Sequence, residues 1–189
     1  VGSEMCIRDR LSLNNMGYFN LRRGRYTEAE EQLVEASGML DSLFPGDHQR
    51  RVMVFNNLAS LYAQQWRLEE AETLYVTALE MVERLYDTPH PEIARQHNNL
   101  GTLYRDRQRS VEARRHFTRA VEEYRAMTYP DRAELAVALG NLGWMQVESG
   151  SVAEGRALIL ESLDMRRALF DDGHHERIAA ERIVATMYA

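Results

Sequence analysis

The stretch Phe55-Asn56-Asn57-Leu58-Ala59 decides the fold of this chain, because it recurs at a fixed interval. The second asparagine of each copy stands at positions 15, 57, 99 and 141, so the period is 42 residues without insertion or deletion. A long and regular period of this kind is typical of solenoids, in which each repeat is one supersecondary unit that packs against its neighbours.

Within each repeat the apolar residues follow the helical period twice. In the second copy they recur every three or four positions from Phe55 to Tyr62 and, after a short turn, from Ala71 to Val82. Each run describes one face of a helix. The sequence therefore predicts an all-α chain of helix pairs at about 11–44, 48–86, 91–128 and 131–170, with a partial fifth repeat at 174–189.

Small residues recur where the two helices of a pair should touch. Large side chains at these places would hold the helix axes farther apart than the ~8–10 Å of close packing. We therefore expect close helix contacts along two columns, which are Gly17, Ala59, Gly101 and Gly143 on the first helices and Ala29, Ala71, Ala113 and Gly155 on the second.

The turn inside each pair carries glycine in only two copies, Gly24 and Gly150. Glycine suits a left-handed residue at a helix C-terminus. Trp66 and Gln108 stand at this place in the middle copies, so we expect their turns to close differently. Trp66 either folds back over the helix ends or, if exposed, forms an anchor for a partner protein.

Composition excludes several function classes. The net charge of −6 is modest and mixed, which argues against a nucleic-acid partner or a basic membrane-surface protein. No apolar run approaches the ~18 residues of a membrane span. All 23 basic residues are arginine, so a phosphate-binding loop, a protein-kinase core and a Schiff-base enzyme lack their lysine. Cys6 is the only cysteine, which favours a reducing, cytoplasmic setting.

No metal or cofactor site is predicted. His48, His90 and His174 occupy equivalent places in three of the repeats, too far apart along the array to share a metal ion. The arginines of the third repeat, from Arg105 to Arg119, could form a phosphate-binding patch. We favour a solvated face balanced by the nearby Asp and Glu residues.

Both ends of the chain raise questions of their own. Residues 1–10 resemble a translated library adaptor of the kind found at the ends of metagenomic reads, so they are excluded from functional reasoning. Residues 174–189 begin a fifth copy and stop before its second helix. This lone helix is either a cap or the cut edge of a longer array, and we favour the second interpretation.

The pattern Asn56-Asn57-Leu58-Ala59-x-Leu61-Tyr62, followed by Leu68-Glu69-Glu70-Ala71 and Ala78-Leu79, resembles the tetratricopeptide repeat. The 42-residue period and the link Thr88-Pro89-His90-Pro91 are similar to the kinesin-light-chain type. The resemblance covers residues 11–189. It implies a right-handed superhelix of antiparallel helix pairs, whose first helices line a concave groove that binds peptide segments. Bacterial arrays of this type are often attached to a kinase, ATPase or protease module.

The first helices supply the candidate binding residues. Amides offer donors and an acceptor, which suits the backbone of an extended peptide; alternatively, the same asparagines tie adjacent helices together. Aromatic and basic residues lie beside them, and they favour an internal peptide with acidic and apolar side chains over a terminal carboxylate. The full set is Asn14, Asn15, Asn56, Asn57, Asn98, Asn99, Asn141, Arg95, Arg105, Tyr18 and Trp144.

These observations predict a non-catalytic, cytoplasmic scaffold that binds protein segments, without nucleic-acid or membrane partners. One alternative is a regulatory or targeting arm of a larger signalling enzyme, a kinase or an ATPase. Another alternative is a structural array that self-associates through its partial fifth repeat.

Overall fold

A computed structural model of the chain describes residues 13–187, and the predicted adaptor at residues 1–10 lies outside them. The described residues form nine α-helices and no strand, which confirms the all-α prediction. The described part of α1 is 13–22. The others are α2 (Tyr26–Leu43), α3 (Gln49–Gln64), α4 (Leu68–Leu85), α5 (Pro91–Asp106), α6 (Ser110–Ala126), α7 (Arg132–Glu148), α8 (Val152–Leu169) and α9 (His175–Met187).

The helices belong to two compact units, one ending at Asp87 and the other beginning at Thr88. In the first unit α2 packs against α3, and α3 packs against α4. In the second unit each helix from α5 to α9 packs against the next one along the chain. Both units therefore show the neighbour-to-neighbour packing of a solenoid.

The two predicted columns of small residues are buried in every repeat. In the fourth repeat both columns have glycine, and α7 and α8 approach each other through their backbones. A Cβ atom added to Gly155 would lie 2.5 Å from the backbone oxygen of Gly143. Even a methyl group does not fit there without a backbone shift, so these two glycines set the distance between the helices.

The turns between paired helices close in the same way in all four repeats, and the expectation that Trp66 and Gln108 require another turn was wrong. Both residues adopt the left-handed conformation, with φ of 60° and 59°. In every repeat the next backbone N–H donates to a carbonyl five residues earlier, at 2.8–2.9 Å; the donors are Arg25, Arg67, Arg109 and Ser151. Satisfying these end groups offsets the roughly 1 kcal/mol that a left-handed side-chain residue costs.

Histidines begin three of the first helices. The Nδ1 atoms of His48, His90 and His174 accept the backbone N–H two residues later, at 3.1, 3.2 and 3.3 Å. The rings of Phe44 and Phe170 stack on His48 and His174. Since an N-terminal N–H has no partner within its own helix, the histidine column has a capping role.

Candidate functional site

The predicted asparagines form pairs between consecutive first helices. In the first unit, the Asn57 amide donates to the Asn14 oxygen over 2.8 Å. In the second unit, the Asn141 amide donates to the Asn98 oxygen over 3.0 Å. The asparagines therefore tie adjacent first helices together, as the alternative to peptide binding predicts. An amide that shares one N–H still has a second N–H and an oxygen, so these bonds leave room for a ligand contact.

The remaining asparagines differ in exposure. Asn15 is exposed on α1, whereas Asn99 is half-buried on α5. Asn56 is half-buried as well, and its buried Oδ1 atom has no hydrogen-bond partner within the described part of the chain. The two rows of asparagines are thus not a uniform ladder for a peptide.

A cavity of about 270 Å³ in the second unit brings three of the predicted residues together. Arg105 comes from α5, and Asn141 and Trp144 come from α7. The wall is completed by α8 and α9, mostly with small or apolar side chains. The other lining residues are Val137, Gly140, Ile159, Ser162, Arg166 and Ala180.

The cavity combines an apolar wall with two cationic groups. Arg105 is about a third exposed, and its ion pair with Asp106 is long, at 3.3 Å. Arg166 is mostly buried, and it bonds both the backbone oxygen and the carboxylate of Glu176, at 3.0 and 2.5 Å. The Trp144 indole donates to Glu148 over 2.8 Å. Arg105 is therefore the cation that a ligand in the cavity could most readily engage.

Sequence reasoning missed Arg166, because the search for groove residues was confined to the first helices. Arg166 lies on a second helix, α8, and it reaches the cavity only where α9 packs against α8. Its contact with Glu176 holds the start of α9 beside the site. No spacing in the sequence marks this arginine.

Besides the other six asparagines, Arg95 and Tyr18 also do not line this cavity. Arg95 makes an ion pair with Glu92 at 2.9 Å, one turn earlier on α5. Tyr18 is half-exposed on α1, in the first unit. Arg95 and Arg105 therefore do not form the predicted basic centre together. Arg95 is paired with Glu92, and Arg105 lines the cavity.

The arginine-rich third repeat carries internal ion pairs. Arg109 pairs with Glu112 at 2.8 Å, and Arg119 bonds the buried carboxylate of Glu123 at 2.7 Å. These arginines are therefore paired with carboxylates of their own helix, as the interpretation of a balanced face expects.

A histidine pair in the second unit, with His97 buried and His116 half-buried, was also missed. The Nδ1 atoms of His97 on α5 and His116 on α6 lie 3.0 Å apart, so one ring donates to the other. Burial, together with His116 and the charges of Arg119 and Arg115, lowers the pKa of His97 to about 4. Burial, with the charge of Arg115, also lowers the pKa of His116. The pair is therefore neutral at pH 7.

Two further properties concern the described residues alone. Their helices include none that is both long and apolar enough to cross a lipid bilayer. Among the same residues, no three His, Cys, Asp or Glu side chains converge as metal ligands.

Family models for the tetratricopeptide repeat match residues 11–39, 50–126 and 135–176. The chain belongs to the tetratricopeptide-repeat family. This membership confirms the resemblance that the recurring asparagine motif indicated. Tetratricopeptide-repeat proteins are generally non-catalytic scaffolds that bind other proteins. Among curated proteins, none matches this sequence.

Solved tetratricopeptide-repeat structures of the kinesin-light-chain type are similar to this chain. BtubC (BKLC) from P. vanneervenii is 25% identical with a TM-score of 0.76; the match covers 86% of this chain and 64% of BtubC, so the chain spans just under two thirds of that protein. A putative kinesin light chain from Podosopora anserina is 18% identical with a TM-score of 0.76, covering 94% of this chain and 84% of its own.

A third solved structure, pilF of Pseudomonas aeruginosa, is 19% identical with a TM-score of 0.67. The match covers 100% of this chain and 74% of pilF. At this identity the similarity shows a shared fold alone.

Proposed function

We propose that this tetratricopeptide-repeat chain is a non-catalytic scaffold that binds a peptide segment of a partner protein along its first helices. The segment carries both acidic and apolar side chains. The observation that carries this proposal is the cavity in the second unit, where Arg105, Asn141 and Trp144 converge.

Each of the three residues supplies a different contact. The Arg105 guanidinium can bond a carboxylate through two parallel N–H groups. The Trp144 ring offers a broad apolar surface and is partly exposed, which suits an aliphatic side chain. The Asn141 amide can bond a peptide backbone group with the donor and acceptor that its contact with Asn98 leaves over. Together they favour a carboxylate and an apolar group on one short segment.

Selection from a random-peptide display library on the full chain tests the proposal. We expect a consensus that contains Asp or Glu next to a large apolar residue. Binding of the selected peptide should weaken at least about tenfold in the double variant Arg105→Gln/Trp144→Leu, because a bidentate ion pair and an aromatic contact are both lost.

A matched control uses Arg132, which is exposed at the start of α7 and does not line the cavity. Arg132→Gln removes the same charge from the same unit, and we expect unchanged affinity. Circular dichroism of all variants should show an intact helical fold. Equal capture of the peptide by the parent and the double variant would place the binding site elsewhere.

The two alternative hypotheses, a regulatory arm and a self-associating array, have less support. Nothing in residues 13–187 singles out either of them, whereas the cavity favours a small-segment ligand. Light scattering over a range of concentrations tests self-association, and a mass that rises with concentration would support it.

A further inference from the structure

Trp66 has a backbone conformation and a solvent exposure that are unusual for tryptophan. It adopts the left-handed conformation, with φ of 60°, at a position where two other repeats have glycine. Its side chain is 75% exposed, so it does not fold back over the helix ends. A large aromatic residue is therefore kept in a conformation that disfavours it while most of its surface faces solvent. Because Gln108 adopts the same conformation without an aromatic ring, it is the exposed indole, and not the turn, that folding does not account for.

The surroundings of Trp66 are acidic. The first turn of α4, which follows it directly, contains Glu69 and Glu70. A third carboxylate, that of Glu30 on α2, reaches the same place through its 2.8 Å contact with Arg67. Arg67 bonds Glu30 and Glu70, and together with Glu69 these four residues carry a net charge of −2.

Arg67 is fully engaged by its neighbours. It bonds Glu70 through two N–H groups, at 2.6 and 2.7 Å, and its guanidinium lies 3.9 Å from the centre of the Tyr62 ring. The described residues of the first unit, 13–87, contain seven arginines and twelve Asp or Glu, a net charge of −5. Residues 88–187 contain fourteen and fifteen, a net charge of −1. The negative field is thus concentrated in the unit that carries Trp66.

The equivalent turn of the third repeat keeps an Arg–Glu pair, Arg109 and Glu112, but is otherwise more basic. Gln108 takes the place of Trp66 and has nearly the same φ, 59°. Arginines flank it on both sides, Arg107 and Arg109, and Arg114 stands where the second repeat has Glu72. The left-handed turn alone therefore requires neither the aromatic ring nor the acidic surroundings.

We propose that Trp66, with Glu69 and Glu70, forms a docking surface for an arginine- or lysine-bearing segment of a partner protein. A guanidinium or ammonium group lies over the face of the exposed indole, which is the aromatic ring that cations prefer. The net negative charge around Trp66 attracts the positive segment. This surface is separate from the cavity of the second unit and does not depend on peptide binding there.

Fluorescence anisotropy tests the proposal with a labelled dodecapeptide of alternating arginine and glycine. A matched peptide carries citrulline, which is neutral and nearly the same shape, in place of arginine. We expect the parent chain to bind the arginine peptide at low salt at least tenfold more tightly than the citrulline peptide. This affinity should fall as the salt concentration rises.

Two glycine variants separate binding from folding. Trp66→Gly and Gln108→Gly both relieve a left-handed side-chain residue, so we expect each to raise the unfolding midpoint by about 2–4 °C. Only Trp66→Gly should weaken binding of the arginine peptide, by about three- to tenfold, because only it removes an aromatic ring. Trp66→Phe should restore most of the affinity.

Three results would overturn the proposal. They are equal affinity of the parent and Trp66→Gly for the arginine peptide, an equal loss in Gln108→Gly, and equal binding of the two peptides by the parent. The first would reduce the interaction to general attraction between opposite charges. The cavity variant Arg105→Gln/Trp144→Leu should leave arginine-peptide binding unchanged, which keeps this test independent of the proposed function.

Discussion

The second and third repeats share one backbone plan but differ in the polarity of equivalent side chains. Their first helices, α3 and α5, both span 16 residues, and both turns close through a left-handed residue. The second repeat has the apolar pair Phe55 and Leu74 where the third has the part-buried pair His97 and His116. The turns and the small-residue columns therefore define the helix pair. Other positions between the two helices accept a polar pair whose members hydrogen-bond to each other.

The largest change in stability should come from the glycine contact between α7 and α8. Gly155→Ala copies the residue found in the first three repeats, yet its Cβ would lie 2.5 Å from the Gly143 oxygen. We expect the free energy of unfolding to fall by about 2–3 kcal/mol, because backbone atoms must move. Urea unfolding measures this change.

A matched substitution in the first unit should have the opposite sign. Gly38 lies within α2, is exposed, and has nothing within 4 Å of an added Cβ. Gly38→Ala should therefore stabilise the chain by up to about 1 kcal/mol through helix propensity. If Gly155→Ala were as stable as the parent, the contact between Gly143 and Gly155 would not set the distance between α7 and α8.

Lowering the pH should reduce stability through the histidine pair of the third repeat, which the second repeat lacks. The pKa of His97 in the folded chain is about 4, below its ordinary value of 6.5, so between these values the unfolded chain binds more protons. The stability that comes from the neutral pair is complete above pH 6.5 and is lost as pH falls toward 4, by an amount on the order of 2 kcal/mol. Thermal unfolding between pH 4 and 7.5 measures the loss.

The second repeat supplies the control for this experiment. His97→Phe/His116→Leu installs the residues of Phe55 and Leu74 and removes both imidazoles. Carboxylates titrate in the parent and in the variant alike, so the difference between their pH profiles isolates the histidines. Parallel profiles over the whole range would mean that the pair has no proton-linked effect on stability.

The smallest effect concerns the asparagine pairs, one in each unit. Asn57→Ala leaves the buried Asn14 oxygen without its donor, and we expect a loss of about 1 kcal/mol. Asn141→Ala should cost a similar amount in the second unit. Exposed Asn15 is the matched control, and Asn15→Ala should change stability by less than about 0.5 kcal/mol. Equal effects of Asn15→Ala and Asn57→Ala in chemical unfolding would contradict a structural role for the pair.

Much of the fold could be predicted because the residues that pack helical repeats recur at regular intervals in the sequence. The 42-residue period, the two helical runs per copy and the small columns all depend on neighbours in sequence or one repeat away. The candidate site could be predicted only in part. Arg105, Asn141 and Trp144 were identified from their register on the first helices, whereas Arg166 required the packing of α9 against α8.

The helix pairs, their order and the family follow from the sequence, since periodicity and turn residues act over short distances along the chain. Only the tertiary structure decided which side chains meet. It showed the His97–His116 pair, the exposed left-handed Trp66 and the bond from Asn57 to Asn14. Such contacts depend on distances of a few ångströms between helices, and a repeat period specifies neighbours without specifying the atoms that touch.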